Sequence, residues 1–155
     1  MQTITAVNEN APVLAAAEIS IKAEAETIWH LLVSAAEWPT WNADIKSVSI
    51  ADPLKEGMTF KWQAGPGSIT STVQRAIAPS LLVWTGKTMG LKAVHVYQIE
   101  RVGQETVVRT RESWEGWPAR FFPNKLKAAL HESLERGLQF LKKEAETIAA
   151  SKTGS

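Results

Sequence analysis

The sequence predicts an α+β fold in which a curled antiparallel sheet is wrapped around one long C-terminal helix. Three observations lead there. A single strand-like run precedes a short helical pattern near the N-terminus; residues 44–115 then read as successive strands broken by Pro and Gly corners; and apolar residues recur at helical spacing from about Asn124 to Ile148. An apolar sheet face and an apolar helix stripe must each be buried, and packing one on the other buries both.

The elements follow in order. From Leu14 to Lys22, Ala17, Ile19 and Ile21 alternate with Glu18, Ser20 and Lys22, the period of a half-buried strand. Ile28, Leu31, Leu32 and Ala35 then form an apolar helical stripe, with Glu24 and Glu26 in the first turn, where the helix dipole favours carboxylates. Trp38-Pro39-Thr40-Trp41 should break that helix, because Pro39 cannot continue it and pushes Trp38 toward extended geometry. Strands are expected over Ile45–Ile50, Thr59–Ala64, Ser68–Ile77, Leu81–Thr85 (ending near Gly86), Lys92–Glu100 and Thr106–Trp114. Leu126, Leu130, Leu134, Leu138, Leu141, Ala145 and Ile148 mark the apolar stripe of the last helix.

The chain has 155 residues, the size of one domain. Residues 14–150 are expected to form it, between flexible tails at 1–13 and 151–155. With no Cys there are no disulfides, thiolate metal sites or cysteine nucleophiles. Seventeen basic residues against sixteen acidic ones are too balanced to suggest nucleic acid or an anionic membrane as partner. No signal-peptide pattern and no apolar run of membrane-spanning length is present, so a cytoplasmic location is expected. Seven Trp against four Phe and one Tyr is the odd feature of the composition, since each indole N–H wants a partner when buried.

Several residues together carry a family pattern. They are Ile21-x-Ala23-x-x-x-x-Ile28-Trp29-x-Leu31-Leu32, Trp38-Pro39-x-Trp41, Gly57-x-x-Phe60-x-Trp62, Trp84-Thr85-Gly86, Thr106-x-Val108-x-x-x-Glu112-x-x-x-Gly116 and Leu138-x-x-Leu141-Lys142. In order and spacing, from about Leu14 to Glu146, the chain resembles the START-like helix-grip superfamily and, more narrowly, its bacterial polyketide cyclase/dehydrase-like branch, often called SRPBCC. Ala23-Glu24-Ala25 departs from the pattern by lacking the proline common at that helix start. The resemblance implies a helix-grip fold: a seven-stranded curved antiparallel sheet around the C-terminal helix, two short helices after strand one, and a largely apolar cavity between sheet and helix. That scaffold hosts lipid carriers, hormone-binding proteins and aromatic cyclases, so it does not by itself name a function.

On this architecture, alternation assigns faces. Thr106, Val108, Thr110, Glu112 and Trp114 should point inward, with Val107, Arg109, Arg111 and Ser113 on the solvent face. His95, Tyr97 and Ile99 are the expected inward set of the preceding strand, and Phe60, Trp62, Leu82 and Trp84 join them. Polar His95, Tyr97, Thr110 and Glu112 would then sit among Trp62, Trp84 and Trp114, as in a small-molecule site whose apolar walls give affinity and whose few polar groups orient the ligand. A His near pKa 6.5 beside a carboxyl raised by burial could also move protons, with Tyr97 as hydrogen-bond donor. Alternatively, Glu112 simply pairs with an Arg or with His95 as a structural group. Leu130, Leu134 and Gly137 would line the helix side; Gly137, costly in mid-helix, implies either room for a ligand or close approach of a strand or Trp.

Other patterns carry less. His131-Glu132-x-x-Glu135 lacks the second His of a zinc helix, Gly65-Pro66-Gly67 is a turn, and His30 lies on the polar side of its helix. Trp38 and Trp41 either gate a cavity or staple the helix corner, and Trp117 with Phe121 and Phe122 forms an opposite lip or an exposed patch. The expected function is binding of a small hydrophobic or aromatic molecule, without metal or cofactor, by a monomer or homodimer. The alternatives are a cyclase/dehydratase-type enzyme using His95, Glu112 and Tyr97, and a protein-interaction module similar to the chaperone-activating members of the superfamily.

Overall fold

The computed structural model describes residues 3–153 of the chain. Seven strands, β1 (Val13–Ile21), β2 (Ile45–Ser49), β3 (Thr59–Ala64), β4 (Gly67–Ile77), β5 (Leu81–Thr88), β6 (Leu91–Val102) and β7 (Glu105–Glu115), form one antiparallel sheet in the order β1-β7-β6-β5-β4-β3-β2. The helices are α1 (Ala25–Val33), α2 (Trp38–Trp41), α3 (Trp117–Phe121) and α4 (Pro123–Thr153), with a 3-10 turn at Ala35–Glu37. The expected α+β helix-grip architecture is thus present, down to the short helices after β1.

Helix α4 lies chiefly along β1. Ala15 and Ala17 there offer the helix short side chains to approach, and its Leu130, Leu134, Leu138, Leu141 and Ala145 are all buried. Between sheet and helix the core forms two apolar clusters. One gathers Leu138, Leu141, Ile28, Trp38, Phe60, Leu82 and Trp84, and the other gathers Val13, Ala15, Leu91, Ala119, Leu130 and Leu134.

Several expectations need correction. The first helix ends at Val33, not at the Trp-Pro step, and Pro39 occupies the first turn of α2 rather than breaking a helix. Trp38 is helical (φ −50°, ψ −42°) against its pre-proline preference, because its indole donates to Leu32 O at 3.1 Å and its ring packs on Phe60, Trp62 and Trp84. Strand β5 continues through Gly86 to Thr88, and the turn is made by Met89 and Gly90, both with positive φ (47° and 79°), as a tight two-residue hairpin requires.

The remaining correction concerns the chain ends. Residues 4–9 are tied to the sheet: Val7 packs on Val83, Val94 and Val96 of its outer face, Asn8 N–H donates to Ser113 Oγ at 3.1 Å, and Glu9 holds Arg111 through two bonds of 2.6 and 2.8 Å. Ser113, assigned by alternation to solvent, is therefore buried. The outer face needs this cover because its valines would otherwise be exposed. At the other end α4 runs to Thr153, and residues 1–2 and 154–155 of the expected tails lie outside the described residues.

Candidate functional site

Register brings the polar inward residues into adjacent rows of the concave face. Ala15, Glu112, His95, Trp84 and Val73 lie side by side across β1, β7, β6, β5 and β4, and the next row holds Ala17, Thr110, Tyr97 and Leu82. Trp114 stands in the row on the other side, followed by the small residues Ala93, Gly86 and Ser71 before Phe60.

A single hydrogen-bonded chain links these groups. Thr110 donates its one proton to Val96 O at 3.0 Å, so the 2.8 Å contact between His95 Nε2 and Thr110 Oγ1 must be donated by the imidazole. A neutral imidazole with its proton on Nε2 leaves Nδ1 as an acceptor, 3.1 Å from Glu112 Oε1. Glu112 therefore donates as a carboxylic acid, while its Oε2 accepts Trp114 Nε1–H at 2.6 Å. Every donor in the series Trp114, Glu112, His95, Thr110 has an acceptor, and the series ends on a backbone carbonyl.

The electrostatics agree with this proton count. Burial pushes the Glu112 carboxyl up to about 7, against the opposing effect of the Trp114 hydrogen bond. Burial drives the His95 imidazole down to about 3, so His95 is neutral and lacks the ordinary pKa near 6.5 that its sequence position predicts. The Tyr97 hydroxyl is raised, first by burial and then by the charge Glu112 would carry, and stays a neutral donor. Trp84 and Tyr97 close over the imidazole, with ring centroids 4.9 and 4.6 Å from it. Of the two structural partners the sequence allows for Glu112, an Arg or His95, the structure shows His95; among the described residues no Arg pairs with Glu112, and Arg109 and Arg111 pair outward with Glu18, Glu100 and Glu9.

The predicted site residues divide by exposure. Phe60, Trp84, Thr110, Leu130 and Leu134 are enclosed by protein, whereas Trp62, Tyr97, Glu112, Trp114 and Gly137 keep part of their surface open. Trp62 donates its indole N–H to Ser71 Oγ at 3.0 Å. A Cβ added at Gly137 would meet nothing within 4 Å, which answers the question posed by the sequence: no strand or Trp approaches this glycine. Trp38 is a staple, as its buried indole and the Leu32 bond require. Trp41 is different, because its Nε1 is buried with no hydrogen-bond partner, a donor that sequence patterning gave no means of finding.

Two surface clefts lie elsewhere. One of about 620 Å³ opens at the far end of the sheet, between α1, the β6–β7 turn and the end of α4, and is lined by Lys22, Glu24, Arg101, Glu105 and Lys152 among others. The other, of about 210 Å³, includes His30 and Asp52. Neither is lined by the residues of the hydrogen-bonded chain. His131 forms a surface pair with Glu135 at 3.7 Å, and among the described residues no group of three or more His, Asp or Glu could hold a metal ion. Among the described residues no helix is long and apolar enough to cross a membrane.

Comparison with known proteins places this geometry in context. A family model described as "Polyketide cyclase / dehydrase and lipid transport" matches residues 12–146. Among solved structures, a hypothetical protein of Helicobacter pylori is 16% identical, with a TM-score of 0.79 over 94% of this chain and 99% of that one. A START superfamily protein from Mycobacterium smegmatis is 18% identical, with a TM-score of 0.75 over 87% and 98% of the two chains. The di-domain ARO/CYC StfQ of the steffimycin biosynthetic pathway is 12% identical, with a TM-score of 0.75 over 90% of this chain and 53% of that larger one. None of the curated proteins matches the sequence.

Proposed function

The chain belongs to the polyketide cyclase/dehydrase and lipid transport family, and from that premise we propose that it binds a small hydrophobic or aromatic molecule on the concave face of the sheet. The observation that carries this reading is the neutral Glu112–His95 pair, set among Trp84, Tyr97 and Trp114 without a cation. Burying a carboxyl is costly, and a core glutamine or leucine would avoid most of that cost. A carboxyl kept there, its protonated form favoured by burial, suits recognition of a polar group on an otherwise apolar ligand. Partly open Trp62, Tyr97 and Trp114 supply aromatic contact, Gly137 leaves space beside α4, and the unpartnered Trp41 indole offers a second donor. Phe60, Trp84, Thr110, Leu130 and Leu134 back these residues.

Native mass spectrometry of protein purified from its own host tests the reading. A co-purifying small molecule whose retention drops in Glu112→Gln and Trp114→Ala supports it. A ligand retained equally by both variants, or none in the native protein together with no quenching of tryptophan fluorescence by 2-naphthol, contradicts it.

The second reading, a cyclase or dehydratase, is favoured by one value: a carboxyl with pKa near 7 can both give and accept a proton at neutral pH. In that role Glu112 is the acid or base, Tyr97 a neutral hydrogen-bond donor, and His95 the group that orients Glu112. Turnover would then depend on Glu112 and fall above pH 7 if the carboxyl acts as acid.

A further inference from the structure

The end of the sheet where the β3–β4 and β5–β6 turns meet α3 carries large apolar side chains that the core does not use. Trp117, Phe121 and Phe122 are 61, 70 and 54% exposed, and Met89 is 57% exposed. Met89 and Trp117 adjoin, and Phe121 follows Trp117 by one helical turn of α3. A Cβ on Gly90, beside Met89, would lie 2.5 Å from Trp117 Nε1, and one on Gly67 would lie 3.2 Å from Met89 Sδ. Clustered exposed aromatics of this kind mark an interaction site rather than ordinary surface.

Charge decides what covers it. Residues 87–92 and 115–127 contain Lys87, Lys92, Arg120, Lys125 and Lys127 against the one acid Glu115, so they carry +4 in a chain whose net charge is +1. All five cations are exposed. Among the described residues none of them forms a salt bridge. Lys87 and Lys92 face each other directly across β5 and β6; Glu115 stands opposite Lys92 across β6 and β7, whereas Lys87 has only Thr70 and Lys92 as cross-strand neighbours. A second copy would bring a second positive surface against the first. Exposed indole and phenyl groups in segments of net positive charge instead match the interface of a bilayer with anionic headgroups, where rings lie at the acyl boundary and cations at the phosphates.

We propose that α3 and the β5–β6 turn dock this protein on the surface of an anionic lipid bilayer, with Trp117, Phe121 and Phe122 inserted and Lys87, Lys92, Arg120, Lys125 and Lys127 at the headgroups. The balanced charge of the whole chain conceals this local asymmetry. Docking does not depend on the ligand reading, although α3 begins only three residues beyond Trp114.

Co-sedimentation of the full chain with vesicles tests the proposal, using phosphatidylcholine alone and phosphatidylcholine containing about 30% phosphatidylglycerol. Binding is expected on the anionic vesicles only, weakened by added salt and roughly tenfold weaker in Phe121→Ser/Phe122→Ser and in Lys87→Ser/Lys92→Ser, each with an unchanged melting temperature. No binding to anionic vesicles overturns the proposal, as does equal binding by both double variants. A concentration-dependent dimer lost in Phe121→Ser/Phe122→Ser, without vesicle binding, overturns it in favour of self-association.

Discussion

His95 Nδ1 and Glu112 Oε1 stand 3.1 Å apart on the concave face of the sheet, and the proton between them belongs to the carboxyl. An ion pair would have placed that proton on the imidazole. Thr110 commits its hydroxyl to Val96 O, so His95 Nε2 carries a proton in either state, and burial, which pushes the imidazole down and the carboxyl up, leaves the second proton on Glu112.

This proton count makes stability depend on pH in a defined way. Glu112 is raised from 4.5 to about 7, so its contribution is full below pH 4.5 and is lost as pH rises toward 7, a change on the order of 3 kcal/mol. His95 is lowered from 6.5 to about 3, so its contribution is full above pH 6.5 and is lost as pH falls toward 3. Between pH 4.5 and 6.5 the two slopes oppose. Glu112→Gln, which can still donate to His95 and accept from Trp114, should unmask the histidine slope, so that urea melts of the variant gain stability steadily across that interval while the native protein stays nearly level.

Trp41→Phe removes a buried indole N–H that has no partner. Thermal denaturation should show the variant equal to the native protein or more stable by about 1 kcal/mol, because the unmet donor is lost with little volume. A loss of several kcal/mol would mean that the indole is satisfied.

Trp38→Ala should behave oppositely. Its ring meets Phe60, Trp62 and Trp84 with centroids 5.4 to 5.8 Å apart, and its N–H is bonded, so truncation should cost about 3–5 kcal/mol in chemical denaturation.

Gly137→Ala should stabilise α4 by up to about 1 kcal/mol, since the new methyl meets no atom within 4 Å and mid-helix glycine is unfavourable. Gly137→Leu should keep the fold and reduce 2-naphthol affinity, read by tryptophan fluorescence. Unchanged affinity would remove Gly137 from the site.

Deleting residues 1–10 should lower the melting temperature and raise binding of an apolar dye, because Val83, Val94 and Val96 lose the cover of Val7.

Local period made much of this readable. Alternation along β7 places Thr110, Glu112 and Trp114 on one face, and the helical spacing of Leu130, Leu134, Leu138 and Leu141 gives the stripe that faces β1. What depends on distant partners was hidden. The burial of Ser113 requires Asn8 from the other end of the chain, and the helical geometry of Trp38 requires a pocket built by β3 and β5. The depressed His95 likewise follows from enclosure by Trp84 and Tyr97, which strand alternation suggests but whose closeness it cannot measure.

An amide-resolved NMR titration with 2-naphthol tests ligand binding at the concave face most directly. Saturable shifts concentrated at His95, Tyr97, Glu112, Trp114 and Gly137, and reduced in Glu112→Gln, are the predicted result. Shifts confined to the cleft around Lys22 and Arg101, or no saturable shifts at all, would contradict it.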